Sequence, residues 1–167
     1  MTGSFFIILV PKFMKLTMKK LFFTFTFGLT LILVTSCNLT GTQINQLSDK
    51  EDGEKIANNL FSALRDNNYK SAERLFGKEF FSATPKDSLY IIFRKTREHL
   101  GEFKGNKLID WRTNEISGTI NKTEYLLVYE VEYDKHKSSE TISMLKKGDN
   151  GPIKIIGYHV QSNGFPF

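Results

Sequence analysis

The chain of 167 residues contains a single cysteine, Cys37, and only three histidines. One cysteine cannot form an intramolecular disulfide, a Cys-x-x-Cys redox pair or a thiolate zinc cluster. The histidines, His99, His136 and His159, lack the spacing of zinc ligands, so we expect no metal site. His99 is instead expected in the last turn of a helix, where a cation interacts favourably with the helix dipole.

The sequence also lacks the common catalytic and cofactor-binding motifs. It contains no Gly-x-Ser-x-Gly, no His-Glu-x-x-His, no P-loop, no dinucleotide-binding glycine pattern and no EF-hand loop. We therefore expect no cofactor, and the sequence favours a non-enzymatic protein over an enzyme.

Excess positive charge is confined to the beginning of the chain. The formal net charge is +5, from 23 basic and 18 acidic residues. Residues 1–36 contain four lysines and no acid, which leaves 19 basic and 18 acidic residues, a formal +1, from Cys37 onward. Nucleic-acid binding requires a basic surface to neutralise phosphates, so the sequence predicts no nucleic-acid partner.

The first 36 residues have the architecture of a secretory signal peptide. Met18, Lys19 and Lys20 form a short basic region, and Leu21–Val34 follows as an apolar run without charge. The run is shorter than the ~20 apolar residues of a membrane-spanning helix, which indicates removal rather than retention. Met14 and Met18 are alternative start positions.

The segment Leu33-Val34-Thr35-Ser36-Cys37 resembles the lipobox of bacterial lipoproteins. The resemblance implies cleavage between Ser36 and Cys37 and lipidation of the new N-terminal cysteine, which would attach the protein to a membrane of the bacterial cell envelope. Two or three acyl chains make such an anchor stable. Asn38 stands where some lipoproteins carry an aspartate that retains them at the inner membrane, so the outer membrane is expected.

The mature chain is predicted to have three parts, a lipidated cysteine with a polar tether at 37–48, one α+β domain at 49–163, and an aromatic tail at 164–167. Helical periodicity predicts three helices. The first begins at Ser48 or Asp49, the second is short and contains Tyr69 and ends at Gly77, and the third begins with Thr84 as its N-cap and ends at Gly101. For the tail, packing against the sheet and contact with a partner both remain open.

Period-two alternation in the second half predicts four strands, which short connections would join into an antiparallel sheet. The predicted strands are 107–115, 125–133, 141–147 and 153–162, and 134–139 is predicted as a charged turn. Helices gathered in one half and strands in the other define an α+β fold, with the helices packed on one face of the sheet.

The order of elements, together with the segments DNNYKSAERLF and IKIIGYHVQS, resembles the cone-shaped domains of the nuclear transport factor 2-like (cystatin-related) superfamily. The resemblance covers residues 50–163 and implies three helices on a curved four-stranded sheet. Enzymes of that superfamily place an acid or base in the mouth of the cone.

The residues available for a pocket in such a cone lie on the predicted strands. They are Asp110, Trp111, Tyr129, Tyr158 and His159, with Glu130 as a further acid. The tyrosines would either line a small apolar pocket or pack under the helices.

Three functions remain open from the sequence. The first is a lipid-anchored envelope protein that binds a partner protein or a small apolar ligand. The second is a small-molecule enzyme that uses Asp110, Tyr158 and His159 for acid/base chemistry. The third is a lipoprotein that self-associates through an exposed sheet face.

Overall fold

A computed structural model describes residues 41–119 and 121–166. The chain divides into two units, Met1–Leu39 and Thr40–Phe167, and the second contains the described residues. The predicted signal peptide, its cleavage site and Cys37 lie outside the described residues.

The described residues form four helices and five strands. The helices are α1 (Leu47–Arg65), α2 (Tyr69–Glu73), α3 (Lys78–Ala83) and α4 (Lys86–Leu100). The strands are β1 (Thr42–Ile44), β2 (Phe103–Ile116), β3 (Lys122–Tyr133), β4 (Lys137–Lys147) and β5 (Lys154–Gln161). None of these helices is long and apolar enough to cross a membrane.

The five strands form one antiparallel sheet in the order β1-β2-β3-β4-β5. Register shifts interrupt the β2–β3 ladder between Phe103 and Gly105 and between Leu108 and Asp110, and another interrupts β4–β5 at Ser143 and Met144. Bulges of this kind bend the strands and increase their twist.

The prediction of an α+β fold with an antiparallel sheet is confirmed, but its details are wrong. It gave three helices and four strands. The additional helix is α3, which carries Phe80 into the core, where its ring centroid lies 4.6 Å from that of Phe76. The additional strand is β1, which lies within the segment predicted as a tether, 37–48. It pairs with Asn114–Ile116 of β2. All three β1 residues are exposed, so no hydrophobic pattern marks this strand.

Helix α1 lies on the sheet through one apolar face, as expected from its periodicity. Its most deeply buried side chains include Leu60 and Phe61. The Phe61 ring meets Tyr129 of β3 edge-on at 5.0 Å and stacks on Phe103 of β2 at 5.8 Å. These contacts hold the helix over the centre of the sheet.

Helix α4 begins one residue later than predicted, because Pro85 rather than Thr84 occupies the N-cap position. Its end is as predicted. Gly101 follows Leu100 with φ 95° and ψ −157°, a conformation that residues with a Cβ rarely adopt. The chain turns there into β2.

Strand β4 begins at Lys137, four residues before the predicted start at Thr141. The turn between β3 and β4 is therefore shorter than predicted. It is closed by a hydrogen bond from the Tyr133 amide to the His136 carbonyl at 3.1 Å. The earlier start brings Ser138 and Glu140 into the sheet.

Candidate functional site

The β3–β4 hairpin directs alternate side chains towards the helices. The inward residues of the two strands are buried, and those between them are exposed or partly exposed. Most of the inward side chains are apolar or aromatic. Thr123 and Ser138 are polar, and Glu140 is the one acid among them, with none of its surface exposed.

Three hydroxyl groups satisfy the Glu140 carboxyl. Tyr133 donates to Oε1 at 2.7 Å, Ser138 donates to Oε1 at 2.9 Å, and Tyr158 of β5 donates to Oε2 at 2.5 Å. None of the ion pairs in the described part of the chain includes Glu140. We call these four residues the Glu140 cluster. It is a buried acid held by neutral donors alone.

Burial dominates the electrostatics of the Glu140 cluster. It raises the pKa of Glu140, although the hydrogen bonds from Tyr158, Tyr133 and Ser138 act in the opposite direction. Burial, and then the nearby Glu140 carboxylate, raises the pKa of Tyr158 and of Tyr133. Both tyrosines therefore remain neutral hydrogen-bond donors at physiological pH.

A cavity of about 20 Å³ lies beside the cluster, lined by both of its tyrosines and by residues of α1, α2 and α4, including Tyr69, Phe93 and Thr96. This volume holds about one water molecule. Small-molecule sites commonly occupy several hundred cubic ångströms. The cavity therefore has room for a water molecule beside Tyr133 and Tyr158, but it does not admit a substrate.

The structure does not bring the sequence-predicted pocket residues together. Asp110 is exposed on β2, where it accepts a hydrogen bond from the Trp111 amide at 2.8 Å. The Trp111 ring is half-buried, with the Lys50 ammonium 5.9 Å from its centroid. His159 is exposed, whereas its neighbour Tyr158 belongs to the Glu140 cluster.

The other two predicted residues, Tyr129 and Glu130, are neighbours on β3 with opposite surroundings. Tyr129 is buried and its hydroxyl has no hydrogen-bond partner among the described residues. Glu130 is exposed and pairs with Lys137 at 3.4 Å. Of the acids proposed from the sequence, neither Asp110 nor Glu130 faces the interior of the sheet.

Sequence reasoning missed Glu140 because the predicted turn ended at Ser139 and the predicted strand began at Thr141. One signal was present. Ser138, Glu140, Ile142 and Met144 continue a single period-two series, so extending the strand backwards puts the acid on its apolar face. Within residues 41–119 and 121–166, no three His, Cys, Asp or Glu side chains converge as metal ligands would.

Two tyrosines of β3 provide a matched test of the Glu140 cluster. Tyr133→Phe should lower the free energy of unfolding by about 1–3 kcal/mol, because it removes a donor from a buried carboxyl. Tyr129→Phe should leave it unchanged or raise it, because the lost hydroxyl has no partner. Urea denaturation at pH 7 measures both values, and equal losses in the two variants would contradict the assignment of the cluster.

A second feature of this region is a groove of about 390 Å³ between α4 and β5. We call it the β5 groove. It is lined by residues of α4, of β5 and of the C-terminal tail, namely Ile91, Ile92, Lys95, Thr96, His99, Tyr158, His159, Val160, Phe165 and Pro166. The tail packs back against α4, where the Phe165 ring lies 5.9 Å from that of His99.

Comparisons of the chain with protein-family models, with curated proteins and with solved structures gave no match. The resemblance to nuclear transport factor 2-like domains stays a prediction.

Proposed function

We propose that the protein is a lipid-anchored protein of the bacterial cell envelope whose α+β domain binds a partner through its surface. The lipobox-like segment ending at Cys37 supports the anchor. The domain begins close behind it, since β1 starts at Thr42 and α1 at Leu47. A short connection of this kind keeps the domain near the membrane surface.

The observation that carries the binding function is the filled interior of the sheet. Both oxygens of the Glu140 carboxyl accept hydrogen bonds from hydroxyl groups, three in all, and the adjoining cavity holds about one water molecule. Larger concave regions lie on the outside, such as the β5 groove at about 390 Å³. Recognition by the outer surface therefore fits the domain better than chemistry inside it.

An enzyme that uses Asp110, Tyr158 and His159 receives no support from this arrangement. General acid/base catalysis requires its groups within hydrogen-bond reach of one substrate. Asp110 and His159 are exposed, and Tyr158 is already bonded to Glu140. A partner-binding function requires no such convergence.

The lipid anchor predicts a large effect of one substitution. Cys37→Ala should abolish incorporation of labelled palmitate, because the thioether to the diacylglyceryl group requires the sulfur. Metabolic labelling measures this effect. Ser36→Ala is the matched control, since it keeps a small residue beside the cleaved bond and should retain the label. Unchanged labelling of Cys37→Ala would contradict the anchor.

A further inference from the structure

The β5 groove lies beside an incompletely paired edge of the sheet. Strand β5 pairs with β4 on one side, and on the other side only its beginning is covered. The Gly77 amide donates to the Ile155 carbonyl at 2.8 Å, and the Ile155 amide donates to the Leu75 carbonyl at 3.0 Å. No other described segment forms backbone hydrogen bonds with this edge between Ile156 and Gln161.

The register of β4 and β5 identifies the free backbone groups. Along β4 the backbone groups of successive residues point alternately towards β3 and towards β5. The backbone of His136 bonds to Tyr133 of β3, so that of Thr141, five residues later, points towards β5. Thr141 is opposite His159, so the amide and carbonyl groups of His159 form their hydrogen bonds with β4. Tyr158 and Val160 then direct theirs to the open edge. Such a row of donors and acceptors is complementary to an extended peptide backbone.

The side chains that line the β5 groove are largely apolar, and one of them is a lysine. Ile91 of α4 is 40% exposed, one of the few large apolar side chains so accessible in the described residues. Val160 and Phe165 extend the apolar lining. Lys95 also lines the groove, and no aspartate or glutamate does. The groove therefore favours a segment that carries both apolar and acidic side chains.

We propose that the β5 groove binds an extended acidic segment of a partner protein, which adds as a further strand to the edge of β5. Backbone hydrogen bonds with Tyr158 and Val160 align the segment, and alternate apolar side chains enter the groove against Ile91. Lys95 pairs with an acidic residue of the segment. This inference depends on the proposed partner-binding function and identifies the surface and the chemistry of the partner.

The test uses the domain from Thr40 onward, whose core consists of its own residues. The probe is a fluorescein-labelled peptide, EVTVTVE, which combines strand-forming alternation with acidic ends. Fluorescence anisotropy should show saturable binding. The peptide KVTVTVK should bind at least about tenfold more weakly because of its charge, and EVTPTVE should do so because proline interrupts strand pairing.

Variants of the domain locate the site. Ile91→Asp and Lys95→Glu should each weaken binding of EVTVTVE by about tenfold or more, since both replace a favourable contact with a negative charge. Ile109→Asp is the matched control, because Ile109 is 55% exposed on β2 and lies outside the groove. It should bind as the parent does. All three positions are exposed, and circular dichroism verifies that each variant is folded.

Amide hydrogen exchange provides an independent measurement of strand addition. The Tyr158 and Val160 amides should exchange more slowly when EVTVTVE is bound, whereas the His159 amide, already bonded to β4, should change little. Slower exchange restricted to other strands would overturn the proposal.

Three results would overturn the proposal without affecting the lipid anchor. The first is that folded protein does not bind EVTVTVE at about 1 mM peptide, a weak-binding limit. The second is that the three peptides bind equally well. The third is that neither Ile91→Asp nor Lys95→Glu changes the binding of EVTVTVE. Analytical ultracentrifugation tests a further outcome. If the domain is a dimer and Ile91→Asp makes it a monomer, a second copy of the chain occupies the groove, and the proposed peptide segment is rejected. Failure of palmitate labelling, by contrast, rejects the anchor while leaving the peptide result intact.

Discussion

Glu140→Gln should remove the decline in the free energy of unfolding that this buried carboxyl causes as the pH rises above its ordinary pKa of 4.5. Burial raises the pKa of Glu140 in the folded protein, whereas in the unfolded chain the carboxyl titrates near its ordinary value of 4.5. Below that value the carboxyl is protonated in both the folded and the unfolded state. Its contribution to the free energy of unfolding is then at its maximum and does not change with pH. As the pH rises, the unfolded chain loses its proton first, so unfolding becomes more favourable.

The loss continues until the pH reaches the raised pKa of the folded state. Within this window a single group changes the free energy of unfolding by at most about 1.4 kcal/mol per pH unit. Glutamine is neutral throughout, its carbonyl can accept from Tyr133 and Ser138, and its amide can donate to the Tyr158 oxygen. The variant should therefore match the parent near pH 4 and exceed it increasingly towards neutral pH.

Urea denaturation at several pH values measures this divergence. Glu130→Gln is the matched control, because Glu130 lies on the same hairpin but is exposed and weakly paired with Lys137. Its stability curve should follow that of the parent. Parallel curves for the parent and Glu140→Gln from pH 4 to pH 8 would show that the buried carboxyl does not control the pH response.

Gly101→Ala should destabilise the domain by about 3 kcal/mol or more. Gly101 has φ 95° and ψ −157°, and a residue with a Cβ pays about 1–3 kcal/mol in such a region. The added Cβ would also lie 1.6 Å from Oδ1 of Asp134, far inside contact distance. That carboxylate accepts the Glu102 amide at 2.8 Å, so moving it breaks the hydrogen bond that begins β2.

Gly105→Ala makes the same chemical change four residues later and is the control. No heavy atom lies within 4 Å of a Cβ built at Gly105, and its φ is not positive. Alanine there should be neutral or should stabilise the domain by about 0.4–1 kcal/mol, because it restricts the unfolded chain. Thermal and urea unfolding measure both variants. A similar effect at the two positions would contradict the conformational argument for Gly101.

Local sequence patterns predicted much of the fold. The alternation of tyrosines, leucine and valine along β3 defined both its period and its buried face, since a half-buried strand requires apolar residues at every second position. The end of α4 was equally predictable, because Gly101 follows the last periodic residue. Helix α3 and strand β1 were missed. The six residues of α3 and the three exposed residues of β1 show no apolar periodicity, whereas the apolar pattern that predicted α2 continues beyond that helix to Phe76.

The candidate site was less predictable than the fold. Asp110 and His159 appeared to be available acids and bases, yet side-chain direction on a strand reverses at each residue, and the bulges in the sheet shift that parity. A strand start predicted four residues too late concealed Glu140. The β5 groove involves residues far apart in the chain, such as Ile91 and Val160, and no local pattern connects them.

The sequence by itself determined the α+β class, the apolar faces of α1 and β3, and the prediction of a lipidated Cys37, because each depends on neighbouring residues or on a local periodicity. Only the tertiary structure decided that Glu140 is enclosed by Tyr133, Ser138 and Tyr158 and that the cavity beside them has room for about one water molecule. It also decided that no other described segment pairs with the end of β5 beside α4. These features depend on strand register and on which helix covers which strand. They arise from packing between distant segments, which a local pattern does not encode.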